Sequence, residues 1–450
     1  MHTQETTPAT TASARVLPWV VLVLLVAEGL QFTFYRQRLP GYWAPVMLYL
    51  TAVALCIATY LAVRQRPWAE TLPAARPWKH GVLPVALGLL VGLVLALPQL
   101  RKVIHNMAPQ EWSDIVPAIT VYCQRLLDGE VVHQPLTKHI GYFLEPGYLP
   151  AMWFPFVVPE HFAFDYRWMS SAVLLVGMMA YSIVVLRLRR PAGVAFILSA
   201  LPPLLAYAVL RTDNSIFSIA LEPLVIGYYL LLIAGVLLRW WPLVVAALVL
   251  CLLSRFALIF WVPLYLGLVY VCESRRRAWQ LAGFTALGIV LLYIVPVLSH
   301  DWGLFMRVQK VYTETTLGEW RHLDYGRPIH LFNGIGLTGL FYDYAPGNLL
   351  QKLQLAKIVH LGLLLGIIAA AAIGYKLQHR PRTNYRVYAV LVLKLYLTTF
   401  YAFLQVPYAY IASTGFFVSI YLLILAVGPA SASEAAAIEA VPSPVATPAQ

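Results

Sequence analysis

The stretch VLPVALGLLVGLVLALPQL (residues 82–100) carries no charged side chain. A helix of this length crosses the hydrocarbon core of a bilayer, which takes about 20 residues. Comparable runs lie near 16–35, 43–63, 170–187, 193–210, 216–238, 241–254, 256–272, 279–298, 353–375, 386–404 and 409–427. The two runs flanking Ser254-Arg255 are short. They read as two spans, one long tilted helix or a re-entrant hairpin, so roughly ten to twelve spans are expected. The whole composition agrees: 60% of the 450 residues are hydrophobic and 12% are charged, with a mean hydropathy of +0.71. A soluble domain has no water-free place for that much apolar surface, so the bilayer is the solvent. The expected fold class is an all-α polytopic membrane protein.

Charge gives an orientation. The net charge is +12, which in a soluble chain would suggest nucleic acid. No helix-turn-helix, zinc-ligand or RNA-binding signature accompanies it, so nucleic acid is not an expected partner. In a membrane protein, excess Lys and Arg marks cytoplasmic loops and contact with anionic lipid. With a cytoplasmic N-terminus, the inner loops are 64–80, 187–192, 239–240, 273–278 and 376–386. They hold fifteen basic residues against the acids Glu70 and Glu273. The short outer turns carry only Arg36, Arg38, Arg211 and Arg255 as basic residues. Two long segments, 101–169 and 299–352, then face outward with most of the acids and histidines.

The termini and cysteines add little. Residues 1–15 read as a polar cytoplasmic tail. The run VLPWVVLVLLVAEGLQFTF (16–34) contains Glu28 and no small-x-small cleavage site, so it reads as a retained span. Residues 428–450 are rich in Ala, Pro and Ser and read as a disordered tail. Cys56, Cys123, Cys251 and Cys272 show no CxxC spacing, which indicates neither a disulfide framework nor a metal knuckle.

Chemistry-bearing residues gather just beyond the third span, in EWSDIVPAITVYCQRLLDGE (111–130). Trp112, Ile115, Ile119, Tyr122 and Leu126 recur at helical spacing and predict an amphipathic helix lying in the outer interface. Pro117 belongs in its first turn, so the helix starts near Ser113 or Asp114 and stops at Gly129. Asp114 has two compatible readings: a helix cap, or a general base at headgroup depth. Downstream, HQPLTKHIGYFLEPGYLPAMWFPF (133–156) packs His133, His139, Tyr142 and Glu145 among prolines and aromatics. Aromatic residues also gather at membrane interfaces for purely structural reasons.

This layout resembles the GT-C glycosyltransferases, and most of all the bacterial family 87 type, which uses polyprenyl-phosphate sugars. The likeness rests on an aspartate opening a helix that ends RLLDGE (125–130) and on the box YFLEPGYLP (142–150). It extends to ALVLCLLSRFALIFWVPLYL (247–266) followed by ESRRRAW (273–279). The box here reads Glu145-Pro146-Gly147 where the family usually has Pro-Pro, and Ser254-Arg255 stands where a lysine is common. The resemblance implies a GT-C-like bundle in a bacterial inner membrane, with its active site facing the periplasm. It also implies a hexosyl or pentosyl transfer from a lipid-phosphate-linked sugar to a glycan or lipid acceptor, and a catalytic role for Asp114.

That chemistry needs few parts. Phosphate is already a competent leaving group, so one carboxylate suffices to take the proton of the attacking hydroxyl. Cations must hold the departing phosphate. Candidates are Arg321, His322, Arg327 and His330 in EWRHLDYGRPIHLFNGIG (319–336), together with Arg211 and Arg255. Arginine suits phosphate because its planar fork donates paired hydrogen bonds. The structural alternative is that these side chains snorkel to headgroups or pair with Asp324 and Asp343. Arg255, Glu28 and Lys394 lie in or between apolar runs, where a charge is expensive, and the last two have a bland reading as partners inside the bundle. No cofactor is expected, and no dense ligand cluster calls for a metal.

A multispan transporter or lipid flippase is the alternative. Such a protein concentrates polar residues near the bilayer midplane and often shows internal repeats. This chain concentrates them in the two outer segments, and no repeat relates its halves. A non-enzymatic scaffold leaves His133, His139, His322 and His330 without a role. The topology is testable with single cysteines and an impermeant reagent. Positions in 130–145 and 320–345 should label from outside and positions in 273–278 should not, so strong external labelling at 275 contradicts the orientation.

Overall fold

The computed structural model describes residues 12–35, 41–65, 68, 81–106, 114–136, 145–219, 221–324, 326–378 and 383–430. Helix α1 (Ala12–Leu30) runs into a π-turn (Gln31–Tyr35), followed by α2 (Trp43–Gln65), α3 (Val82–Asn106) and α4 (Ile115–Leu127). Short helices α5 (Pro150–Trp153) and α6 (Val157–His161) lead to α7 (Tyr166–Arg187) and α8 (Ala192–Thr212). One turn, α9 (Ser215–Ser218), precedes α10 (Glu222–Leu238), α11 (Trp241–Leu252), α12 (Trp261–Cys272) and α13 (Arg275–Ile289). Helix α14 (Leu304–Arg321) ends in a small antiparallel hairpin, β1 (Leu323–Asp324) on β2 (Arg327–Pro328). Helices α15 (Gly339–Tyr344), α16 (Leu349–Leu377), α17 (Tyr385–Ala402) and α18 (Ala409–Val427) follow. Among the described residues eight helices, against the ten to twelve expected, are long and apolar enough to cross a membrane: α1, α2, α3, α7, α8, α13 with its π-turn, α16 and α18. The chain is an all-α polytopic membrane protein.

Local chemistry sets the helix ends. The Asp165 carboxylate accepts from the Arg167 backbone N–H at 2.8 Å and starts α7. Asn348 and Gln351 form a reciprocal capping box at α16. Gly129 takes φ +73° and ends α4. There the Glu130 N–H reaches the Arg125 carbonyl at 2.7 Å and the Gly129 N–H reaches that of Leu126 at 3.2 Å, a Schellman closure.

Two expected boundaries change. The run 216–238 is not one helix, because Leu221 turns with φ +52° and α10 begins only at Glu222. The short pair around Ser254-Arg255 is a hairpin of two twelve-residue helices. Each arm is ~18 Å long, too short to cross a bilayer. Its open end is tied by Arg239 to Glu273 at 2.7 Å.

Helix α10 is buried on all sides, so it is the core about which the bundle packs. Glycine lets its neighbour approach: a Cβ at Gly227 would lie 2.6 Å from the Val173 carbonyl oxygen of α7. Gly88 and Gly92 do the same for α3 against α8, where a Cβ at Gly88 would lie 2.2 Å from the Phe196 carbonyl oxygen. Small residues four apart are a recurrent means of packing helices in lipid, where apolar burial alone gives no preference for helix over lipid. Gly227→Ala should therefore destabilise by ~1–3 kcal/mol through overpacking against backbone. Gly267→Ala meets nothing within 4 Å and should be neutral or slightly stabilising. Thermal unfolding in detergent reads both, and equal melting of the two variants contradicts the packing account.

Candidate active site at the Asp114 end of the bundle

Helix α4 forms because apolar residues line one face, but that face is wider than the expected seam. Ile115, Val116, Ala118, Ile119, Val121, Tyr122 and Cys123 are buried, against α5, α6 and the turn between them. Leu126, expected in the seam, is exposed instead. Trp112 lies outside the described residues. Pro117 sits in the first turn, as its missing N–H requires. Arg125 staples the following loop by donating to the carbonyls of Val132, Gln134 and Pro135 at 3.1, 2.7 and 3.3 Å. Asp128 is exposed at the far end.

Asp114 stands at the N-cap position, yet its side chain makes no cap hydrogen bond and its backbone is right-handed helical. The capping reading is thereby corrected. The residue is half-buried, and its carboxylate lies within electrostatic reach of the Tyr410 hydroxyl. The same hydroxyl feels Arg255, Glu222 and Tyr312. Asp114 is thus brought toward the tip of the α11–α12 hairpin by the first turn of α18.

Arg255 at that tip forms an ion pair with Glu222, which is fully buried. An unpartnered charge at the tip would be expensive in lipid, and the pair removes that cost. Arg255 was expected to hold a donor phosphate. In the structure one terminal nitrogen is already occupied, while its Nη1 is buried without an acceptor among the described residues. Tyr401 faces the same guanidinium.

The second segment contributes unevenly. His330 binds Glu319 through Nδ1 at 2.5 Å and packs on Tyr408, with ring centres 4.8 Å apart. Tyr408 stacks in turn on Tyr410 at 5.3 Å. His330 therefore reaches the Asp114 end through two stacked tyrosines. Arg321 and His322 are exposed at the end of α14. Arg327 lies over the Phe332 ring, 3.9 Å from Asp343. Among the described residues none of these contacts joins the three to Asp114, and His330 leads toward it only through the two tyrosines. Arg211 is exposed in the last turn of α8.

Beside the hairpin tip lies a mostly apolar cavity of about 520 Å³, within the range of small-molecule sites. Leu126, His133, Trp153, Leu253, Leu291 and His300 are among its lining residues. Leu253, two residues before Arg255, lines it, whereas Arg255, Glu222 and Asp114 do not. His133 is wedged between Tyr122 and Trp153, with ring centres at 5.5 and 5.7 Å. Burial pushes its imidazole down to about 4, so it is neutral at physiological pH and cannot serve as a phosphate-binding cation. Glu145 is buried 3.5 Å from the Arg307 guanidinium, a partner the sequence reading did not name. His139 and Tyr142 lie outside the described residues.

Glu222, Glu319, Tyr408 and Tyr410 were missed. Glu222 had a signal: a lone acid in an apolar run meets the criterion that singled out Glu28 and Lys394. Those two are ion-paired at 2.5 Å, and Lys394 also donates to the Gly415 carbonyl at 3.0 Å.

Arg255→Met should unfold the protein more readily by ~3–5 kcal/mol, since it strands a buried carboxylate. The double variant Arg255→Met, Glu222→Gln should recover more than half of that loss. Melting in detergent decides, and a double variant as unstable as the sum of the singles contradicts the coupling.

The fold and the site were compared with family models, with curated proteins and with solved structures, and no match was found in any of the three.

Proposed function

We propose that this protein is a membrane glycosyltransferase that moves a sugar from a polyprenyl-phosphate donor to a hydroxyl of a lipid or glycan acceptor. The observation that carries the reading is Asp114. It is a half-buried carboxylate at a helix start that it does not cap, electrostatically coupled to Tyr410 beside the Arg255–Glu222 pair. In the reaction Asp114 takes the proton of the acceptor hydroxyl as its oxygen bonds to the anomeric carbon. The bond from that carbon to the lipid-phosphate oxygen breaks, and the phosphate leaves with the electron pair. Arg255, beside Tyr410, and His330, behind the tyrosine stack, are the cations assigned to receive it. The apolar cavity that Leu253 lines suits the prenyl chain. The site would face the periplasm of a bacterial inner membrane under the charge-based orientation.

A transporter is the second reading, favoured by the Glu28–Lys394 pair inside the bundle. Intramembrane ionisable pairs recur on transport pathways. The space beside this pair is about 40 Å³, little more than a water needs, which favours the enzyme.

Asp114→Asn tests the proposal. Asn keeps the size of the side chain, so the protein should insert and fold. Sugar transfer from a purified polyprenyl-phosphate sugar should fall ~10²–10⁴-fold, the usual worth of a positioned base. Asp128→Asn, exposed at the other end of α4, should be active. Near-normal turnover of Asp114→Asn contradicts the assignment.

A further inference from the structure

The opposite end of the bundle carries a second site. Helix α10 is ~25 Å long, and where Glu222 opens it beside Arg255, Arg239 closes it beside Glu273. Two cavities meet there and share Arg239 and Arg386 as lining residues. One, of about 240 Å³, is polar and includes Arg277, Glu273 and Tyr385. The other, of about 800 Å³, runs along Val176, Met179, Ile183, Leu231 and Leu243, with Arg187 near its end. Ile183, Met179 and Val176 are exposed, so this groove faces the hydrocarbon of the bilayer.

Arg386 sits between the two compartments. Only 5% of it is exposed. One terminal nitrogen donates to the Leu237 carbonyl at 3.2 Å, while its Nε is buried with no acceptor among the described residues. A buried donor of this kind is costly unless something accepts from it. Glu273 is the acid of the polar cavity, and it already takes hydrogen bonds from Arg239 and Tyr385, both at 2.7 Å. Three arginines against one committed carboxylate leave the compartment cationic. Arg239 also holds a left-handed backbone, φ +56°, at a helix end where glycine is the usual residue. Trp240 and Trp241, both exposed, mark the membrane–water boundary that such residues favour.

A cationic pocket opening into an apolar groove matches a lipid with an anionic phosphodiester headgroup. We infer that an anionic phospholipid of the arginine-rich leaflet binds here, its phosphate between Arg239 and Arg386 and an acyl chain along α7 and α10. The inference stands apart from the proposed transfer reaction, which uses the other end of the bundle.

The test uses the full chain in nanodiscs of zwitterionic phosphatidylcholine. Phosphatidylglycerol with brominated acyl chains is titrated in, and quenching of tryptophan fluorescence is read against brominated phosphatidylcholine. Brominated phosphatidylglycerol should quench at severalfold lower mole fraction, and the difference should vanish in Trp240→Phe, Trp241→Phe. Arg386→Gln and Arg187→Gln should each weaken the preference about five-fold, the worth of one basic residue near an anionic lipid. If Arg386→Gln does not fold, Ile183→Phe decides, because it fills the groove and should abolish the preference while keeping every arginine and adding no tryptophan. Equal quenching by the two brominated lipids overturns the inference. So does release of phosphatidylglycerol by millimolar inorganic phosphate, which would mark a site for the free anion.

Discussion

The ion pair between Arg255 and Glu222 is the constraint on which the Asp114 end depends. Two charges in a low-dielectric interior repay their desolvation only when paired at close range. Here the partners lie on different elements: Glu222 opens the buried helix α10, and Arg255 is the tip of a hairpin too short to cross the membrane. Pairing fixes the depth of that tip. Leu221, fully buried, holds φ +52° just before Glu222. A non-glycine residue there costs of order 1–3 kcal/mol, strain that persists only where the surroundings over-determine it. The strained turn aims Glu222 at Arg255, and Tyr401 and Tyr410 then complete the surroundings of the guanidinium.

From that fixed point the two long segments between the spans find their places. Ala151 donates its N–H to the Leu253 carbonyl at 3.0 Å, which ties α5, on which α4 packs, to the hairpin. Helix α4 is thereby held with Asp114 toward Tyr410 and Leu126 toward the apolar cavity. From the other segment, His330 joins through Tyr408. One end of the bundle is thus a mixture of acid, arginine and stacked tyrosine, and the other is dominated by arginine.

Eight of the twelve expected runs are, among the described residues, helices long and apolar enough to cross, because apolar runs of about 20 residues have few alternatives. The start of α4 at Ile115, with Pro117 in its first turn, and its stop at Gly129 were also legible, since they rest on local backbone chemistry. What depended on distant partners was not. Arg255 looked like a free phosphate ligand because Glu222, 33 residues earlier, is invisible to a local reading. Arg321 and Arg327 were grouped with His330, but Arg321 is exposed at the end of α14 and the turn at Gly326, φ +80°, carries Arg327 onto the hairpin. Leu126 fitted the periodic seam, yet it lines a cavity together with Leu250 of α11 and Leu291 of the π-turn after α13, residues far away in sequence. The capping role of Asp114 was a sound local expectation. It fails because the residue adopts a helical backbone, φ −81° and ψ −11°, instead of the extended one from which a side chain reaches the N2 or N3 amide.

The most direct measurement is a cryo-EM map of the protein in nanodiscs loaded with a polyprenyl phosphate. The account predicts phosphate density beside the Arg255 guanidinium and within reach of Asp114, with prenyl density entering the cavity lined by His133 and Leu253. Phosphate density beside the Glu28–Lys394 pair, or at the arginine-rich end with the Asp114 end empty, would contradict it.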